Sequence, residues 1–127
     1  MNQHLLEGKP FEVWEGQQLR DFTYVDDAVD GFLGAAISEE ANGQIYNLGG
    51  ERAISLKDLA ELLIKINGGG SYSVRSYPPD RKSIDIGDYY ADFGSIKIAL
   101  GWEPKVSLSE TLERTLAYYK KNLAKYV

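Results

Sequence analysis

Two capped, leucine-rich helical patterns set among short β-prone runs constrain this chain more than any other feature. Ser55 stands three residues before Asp58, a capping-box-like start, and Leu56, Leu59, Leu62, Leu63 and Ile66 then fall on one helical face. Gly68-Gly69-Gly70 closes that helix. Ser107 and Glu110 repeat the capping signal before a second helix with Leu108, Leu112, Leu116 and Tyr119 along one side. A further apolar helix runs through Val29, Phe32, Leu33, Ala36 and Ile37, with Asp26 and Asp27 as its N-caps and Asn42-Gly43 as the turn that ends it.

Strand signals lie between these helices. Phe11-Glu12-Val13-Trp14 alternates apolar and polar residues, and Glu15-Gly16-Gln17-Gln18 breaks the pattern. Leu19–Val25 is β-prone again, Gln44–Leu48 forms a strand stopped by Gly49-Gly50, and Tyr72, Val74 and Ser76 lie in a short strand. Residues 1–9 form the last turns of a helix capped at Gly8, so the chain is expected to begin in mid-element. Pro78-Pro79 imposes an extended segment, the polar stretch 80–92 crosses the surface, and a short helix over 95–100 ends at Gly101. Helices interleaved with short strands give a small mixed α/β domain spanning 1–127, without internal repeats or low-complexity tracts.

Composition excludes several functions. The 14 basic and 19 acidic residues leave a net charge of −5, which argues against non-specific nucleic-acid binding. There is no cysteine, so disulfides, thiolate nucleophiles and Cys-type metal sites are ruled out. His4 is the only histidine, which argues against a His-rich metal site or a Ser-His-Asp triad within this chain; it is expected on the surface of the terminal helix. No apolar run approaches the length of a membrane span and no signal pattern opens the chain, so the cytoplasm is the expected compartment.

No glycine-rich dinucleotide fingerprint or P-loop occurs, and Gly68–Gly70 follows a helix where such a motif would open one. Asp85 and Asp88, flanking Gly87, are expected as solvated loop residues, and Glu113, Arg114, Lys120 and Lys121 as a solvated helix face. Arg20, beside a β-like run, and Arg81, after the two prolines, have two readings. They are surface ion-pair partners, or planar guanidinium groups bracketing a diphosphate.

From Leu19-Arg20-Asp21-Phe22-Thr23-Tyr24-Val25-Asp26-Asp27-Ala28-Val29 onward the chain resembles the extended short-chain dehydrogenase/reductase family, which includes NAD-dependent nucleotide-sugar epimerases and dehydratases. The resemblance continues at Gly43-Gln44-Ile45-Tyr46-Asn47-Leu48-Gly49-Gly50, at Ile54–Ala60, at Tyr90-Ala91-Asp92 and at Leu100-Gly101-Trp102-Glu103-Pro104. It covers nearly the whole chain in the family's order.

That resemblance implies the C-terminal substrate-binding lobe of such an enzyme, without the Rossmann lobe that holds NAD. No tyrosine is followed four residues later by lysine, so the family's catalytic pair is missing and this chain alone is expected to be inactive. Carried over by position, Arg20 and Arg81 contact the diphosphate, Trp14 stacks near the base, Glu12 reaches that site through its backbone, and Tyr89 lies near the sugar. Asp92 caps the short helix. Two departures stand out: Glu15-Gly16-Gln17-Gln18 replaces a Gly-Asp-Gly turn, and the loop 81–88 is long.

The implied parent is a UDP-glucose 4-epimerase-like enzyme, with a dTDP-glucose 4,6-dehydratase-like enzyme as the alternative. Its partners would be a UDP- or dTDP-sugar, the Rossmann domain of the same protein and a second copy in a homodimer. Tyrosine and tryptophan content keeps open a non-catalytic binding or assembly module of the same fold.

Overall fold

The computed structural model describes residues 2–126. In chain order the elements are α1 (Asn2–Leu6), β1 (Phe11–Trp14), β2 (Leu19–Arg20), α2 (Val25–Ile37), β3 (Ile54–Ser55), α3 (Leu56–Asn67), β4 (Tyr72–Arg75), α4 (Pro79–Lys82), α5 (Gly94–Leu100) and α6 (Leu108–Asn122), with 3₁₀ turns at Glu39–Ala41 and Leu123–Lys125. They divide into two compact units. One comprises residues 1–20, 54–89 and 109–127, the other residues 21–53 and 90–108.

In the first unit β1 pairs in parallel with β4, Phe11 opposite Tyr72 and Trp14 opposite Arg75. β2 pairs antiparallel with β3, Leu19 opposite Ser55. The alternation of β1 is honoured, with Phe11 and Val13 buried and Glu12 exposed. The Ser55 hydroxyl accepts from the Asp58 amide at 3.0 Å, so the capping signal sets the start of α3. Gly68, at φ +77°, ends that helix in the left-handed conformation that glycine adopts without strain. Leu59 and Leu63 of α3 and Leu112 and Leu116 of α6 are buried, as their spacing requires. His4 is exposed on α1; Met1 of the predicted terminal helix lies outside the described residues.

The proline pair behaves differently from the expectation. Pro78 is extended, but Pro79 opens α4, because its fixed φ and missing N–H suit a first helical turn.

The second unit corrects three further expectations. Only Leu19–Arg20 of the β-prone run 19–25 forms ladder pairs, and Asp21–Tyr24 belongs to no strand. Asp26 and Asp27 do not cap α2. The helix starts at Val25 behind Tyr24, which makes no side-chain cap bond. Asp27 instead is buried, its Oδ2 accepting from the amides of Lys105 (3.1 Å) and Val106 (3.0 Å), while its carbonyl accepts from Trp102 Nε1 at 2.8 Å. Gln44–Leu48 is no strand, having no neighbouring backbone to pair with among the described residues.

The small side of α2 faces inward. A Cβ on Gly31 would stand 2.9 Å from Leu48 Cδ2 and 3.1 Å from Trp102 Nε1, so any larger residue there must push the Leu48 and Trp102 side chains back. The large apolar side chains face outward, with Phe32 71% and Ile37 87% exposed, and Ile45 of the unpaired segment 92% exposed. An open apolar recess of about 180 Å³ lies between Gly31, Phe32, Ala35, Tyr46, Leu48 and Ile96. Asp21 Oδ2 ties the ends of this unit together, accepting from the Gly50 amide at 2.9 Å and the Ala91 amide at 3.2 Å. The N-cap of α5 is Phe93 rather than the expected Asp92, which stands one residue earlier and holds the helix start by accepting from the Gly94 amide at 2.7 Å.

Candidate functional site

Three pieces of the first unit converge: the end of β1, the strand β2, and the segment from Tyr77 to Tyr89. The two-stranded ladder β1–β4 delivers Trp14 at one strand end and carries the chain towards Tyr77 at the other. Trp14 and Tyr77 pack edge to face with ring centroids 5.3 Å apart. Arg81, on α4, places its guanidinium carbon 5.9 Å from the Trp14 ring centre, within cation–π range.

Gln18 connects this aromatic pair to the arginine on β2. It is 8% exposed, and its Nε2 donates to the Trp14 carbonyl at 2.9 Å and to the Tyr77 hydroxyl at 3.1 Å. The Tyr77 hydroxyl donates to Asp85 Oδ1 at 3.2 Å, and Arg20 Nη2 reaches the same oxygen at 3.5 Å. Arg20 Nη1 donates to its neighbour's carbonyl, Leu19 O, at 2.7 Å and to the Gly87 carbonyl. One polar chain therefore runs from the main-chain carbonyl of Trp14 to the guanidinium of Arg20. Within it Gln18 Oε1 is a buried acceptor with no hydrogen-bond partner among the described residues.

The late loop is pinned to β2 rather than lying free over the surface. Tyr89 N donates to Leu19 O at 3.0 Å and pairs with Arg20 in a parallel bridge, and Leu19 N donates to Asp88 Oδ1 at 2.8 Å. Asp88 is exposed, as expected of a loop residue, yet accepts from Leu19 N, whereas Asp85 is only about one-fifth exposed and is a structural acceptor, which corrects the expectation of a solvated residue there. The two aspartates find amide and guanidinium donors because the chain returns to the free edge of a two-residue strand.

Of the five residues singled out from the sequence, Trp14 and Arg81 stand together, and Arg20 lies beside the Tyr89 backbone with its own guanidinium engaged. The Tyr89 side chain is exposed. Glu12 is occupied elsewhere. Its backbone belongs to the β1–β4 ladder and its carboxylate pairs with Arg75 at 3.0 Å, both groups exposed. Sequence reasoning missed Gln18, Tyr77 and Asp85. The signal available was the departure 15–18, where a buried glutamine occupies a segment read only as a strand break.

Among the described residues no three His, Cys, Asp or Glu side chains are grouped to hold a metal ion, and no helix is long and apolar enough to cross a membrane. Gly68–Gly70 does not fit a pyrophosphate-cradling turn either, since its amides face back into α3, Gly69 N donating to Ile64 O at 3.1 Å.

Residues 1–49 match the model of the NAD dependent epimerase/dehydratase family. A UDP-glucuronate 4-epimerase of Thermodesulfobacterium geofontis is 35% identical over 121 residues, covering 94% of this chain and 36% of that protein. A dTDP-glucose 4,6-dehydratase of Streptomyces griseus is 36% identical over 108 residues, covering 85% of this chain and 32% of that protein. The crystal structure of a Thermotoga maritima UDP-glucose 4-epimerase with UDP-glucose superposes with a TM-score of 0.81 at 31% identity, over 96% of this chain and 38% of that one. The chain thus spans little more than a third of the length of these relatives, and over nearly its whole length it is similar to members of the NAD-dependent epimerase/dehydratase family.

Proposed function

We propose that this chain is the C-terminal, nucleotide-sugar-binding part of an NAD-dependent epimerase resembling UDP-glucose 4-epimerases. The observation that carries the reading is the polar chain from Trp14 through Gln18, Tyr77 and Asp85 to Arg20, with Arg81 against the indole. An aromatic face suits a pyrimidine base, and guanidinium groups suit diphosphate oxygens. A flat hydrophobic contact and a cationic contact linked by one rigid network match a ligand that is apolar at one end and anionic in the middle.

In this reading Trp14 holds the base, Arg20 and Arg81 neutralise the diphosphate, and Tyr89 lines the sugar end. Glu12 contributes through the β1 backbone that positions Trp14. The chain supplies binding energy from the nucleotide, remote from the reacting sugar carbon, and keeps the sugar in register. NAD would belong to the rest of the parent protein, because no glycine run here opens a helix towards a pyrophosphate, and no chemical step is assigned to these residues.

The outward apolar side of α2 and the unpaired segment 44–48 support a partner domain as well. A helix with a wide apolar stripe beside an extended, unpaired backbone is half of an α/β layer, and the missing half is a sheet edge. The Rossmann domain of the same protein fits that description. The parent would be a cytoplasmic homodimer.

The second reading is a dTDP-glucose 4,6-dehydratase-like parent, favoured by the Streptomyces relative. A purely structural assembly module of this fold would use the α2 face and leave the Trp14–Arg20 network idle. Titration of UDP-glucose and dTDP-glucose into the chain, followed by calorimetry, tests all three. Weak binding that is lost in Arg20→Ala and Arg81→Ala supports a nucleotide-sugar site, and the preferred base selects the parent. Absence of heat with both ligands at millimolar concentration favours the assembly module.

A further inference from the structure

The guanidinium of Arg20 already holds an anion, and that anion belongs to the protein. Its Nη2 faces Asp85 Oδ1 at 3.5 Å, with both side chains about one-fifth exposed. Asp85 is itself positioned from two other directions, by the Tyr77 hydroxyl at 3.2 Å and by the Gly87 amide, which donates to Oδ2 at 3.2 Å. Arg20 Nη1 donates to two carbonyls, Leu19 O and Gly87 O. Resting on the nucleotide-sugar reading above, we propose that Asp85 is an internal competitor for the ligand's diphosphate and thereby sets how strongly the site selects charged ligands.

The physics is that of two anions and one fork of donors. A carboxylate and a phosphate oxygen both form charge-assisted bonds to a guanidinium, and one N–H edge serves one of them well at a time. A diphosphate brings more charge than a single carboxylate and displaces it. A ligand without phosphate leaves the Arg20–Asp85 pair in place and draws nothing from it.

Displacement does not require the loop to open. Asp88 Oδ1 accepts from Leu19 N, and Tyr89 N donates to Leu19 O, so the loop backbone is fastened to β2 by bonds that do not involve the Asp85 side chain. A change of Asp85 rotamer suffices, with the Tyr77 hydroxyl and Gly87 amide left behind as donors to water or ligand oxygens. The cost of that step is set against every anionic ligand and against no neutral one.

The test uses UDP and uridine as probes, titrated by calorimetry into the full chain and into Asp85→Asn, Arg20→Gln and the double variant. Asparagine retains an oxygen for the Tyr77 hydroxyl while removing the charge and gives up the acceptor of the Gly87 amide; Asp85→Ser serves in its place if the amide disturbs the loop. Asp85→Asn is expected to bind UDP about fivefold more tightly, the scale of one partly exposed ion pair. Uridine affinity stays unchanged, and the gain disappears when Arg20→Gln is added. UDP affinity that is equal or weaker in Asp85→Asn, with binding still dependent on Arg20, overturns the competitor role and leaves the nucleotide reading intact. Failure of both the wild-type chain and Asp85→Asn to bind UDP overturns the reading and the competitor together.

Discussion

α3 and α2 carry comparable apolar patterns and meet opposite fates. On α3 the periodic leucines are packed, Leu63 being 2% exposed. On α2 the periodic side chains Val25, Val29, Phe32, Leu33 and Ile37 all lie on the exposed side, while Gly31 and Asp27 point inward. Apolar periodicity shows that a helix has a side to bury, and it does not say against what. In the first unit the burying surface is in the chain. In the second, Gly31 admits Leu48 and Trp102 closely, and the larger side chains stay exposed.

The largest effect that would sharpen this contrast is Leu63→Ala. Removal of a fully buried leucine is expected to lower stability by about 2–5 kcal/mol, measured by urea unfolding. A loss under half a kilocalorie would mean that α3 is no better packed than α2. Next comes Asp27→Ala, which strips the acceptor from two backbone amides and is expected to cost about 1–3 kcal/mol. Trp102 fluorescence should report it, since the indole N–H is bonded to the Asp27 carbonyl. Unchanged emission and stability would show that the inward side of α2 is not what holds the second unit.

Ser55→Ala removes the side-chain cap of α3 and should lower stability by about 1 kcal/mol, readable as a drop in Tm. The smallest effect belongs to Phe32→Ser, expected to change the stability of this chain by less than about 0.5 kcal/mol because the ring is exposed here. A loss as large as that of Leu63→Ala would erase the distinction between the two helices. In a protein that carries the partner domain, the same substitution should become strongly destabilising.

Legibility in the sequence followed the range of the interactions. Ser55, Gly68 and Gly101 act within a few residues, so cap and stop signals located α3 and the end of α5. The strand at Phe11–Trp14 was legible because its alternation is local and its partner β4 is present. Gln44–Leu48 has the same local character and no ladder, since a strand exists only where a neighbouring backbone supplies its hydrogen bonds. Pro79 misled because a proline forbids a helix interior while favouring a helix start.

At the site, residue types pointed to Trp14, Arg20 and Arg81, whose flat or forked side chains advertise their chemistry. Gln18, Tyr77 and Asp85 carry no such mark. Arg20 and Asp85 lie 65 positions apart in the chain and Gln18 and Tyr77 59, and their roles arise only when the loop 77–89 returns to β2. By itself the sequence determined the α/β class, the helix that buries its leucines, the absence of thiol chemistry and the aromatic and cationic side chains available as candidates for a site. The tertiary structure alone decided which carboxylate Arg20 holds, that Asp27 is a buried acceptor, and that α2 turns its apolar side outward. Those outcomes depend on which backbone donors and which surfaces are brought within a few ångströms, a matter of long-range closure that no local pattern encodes.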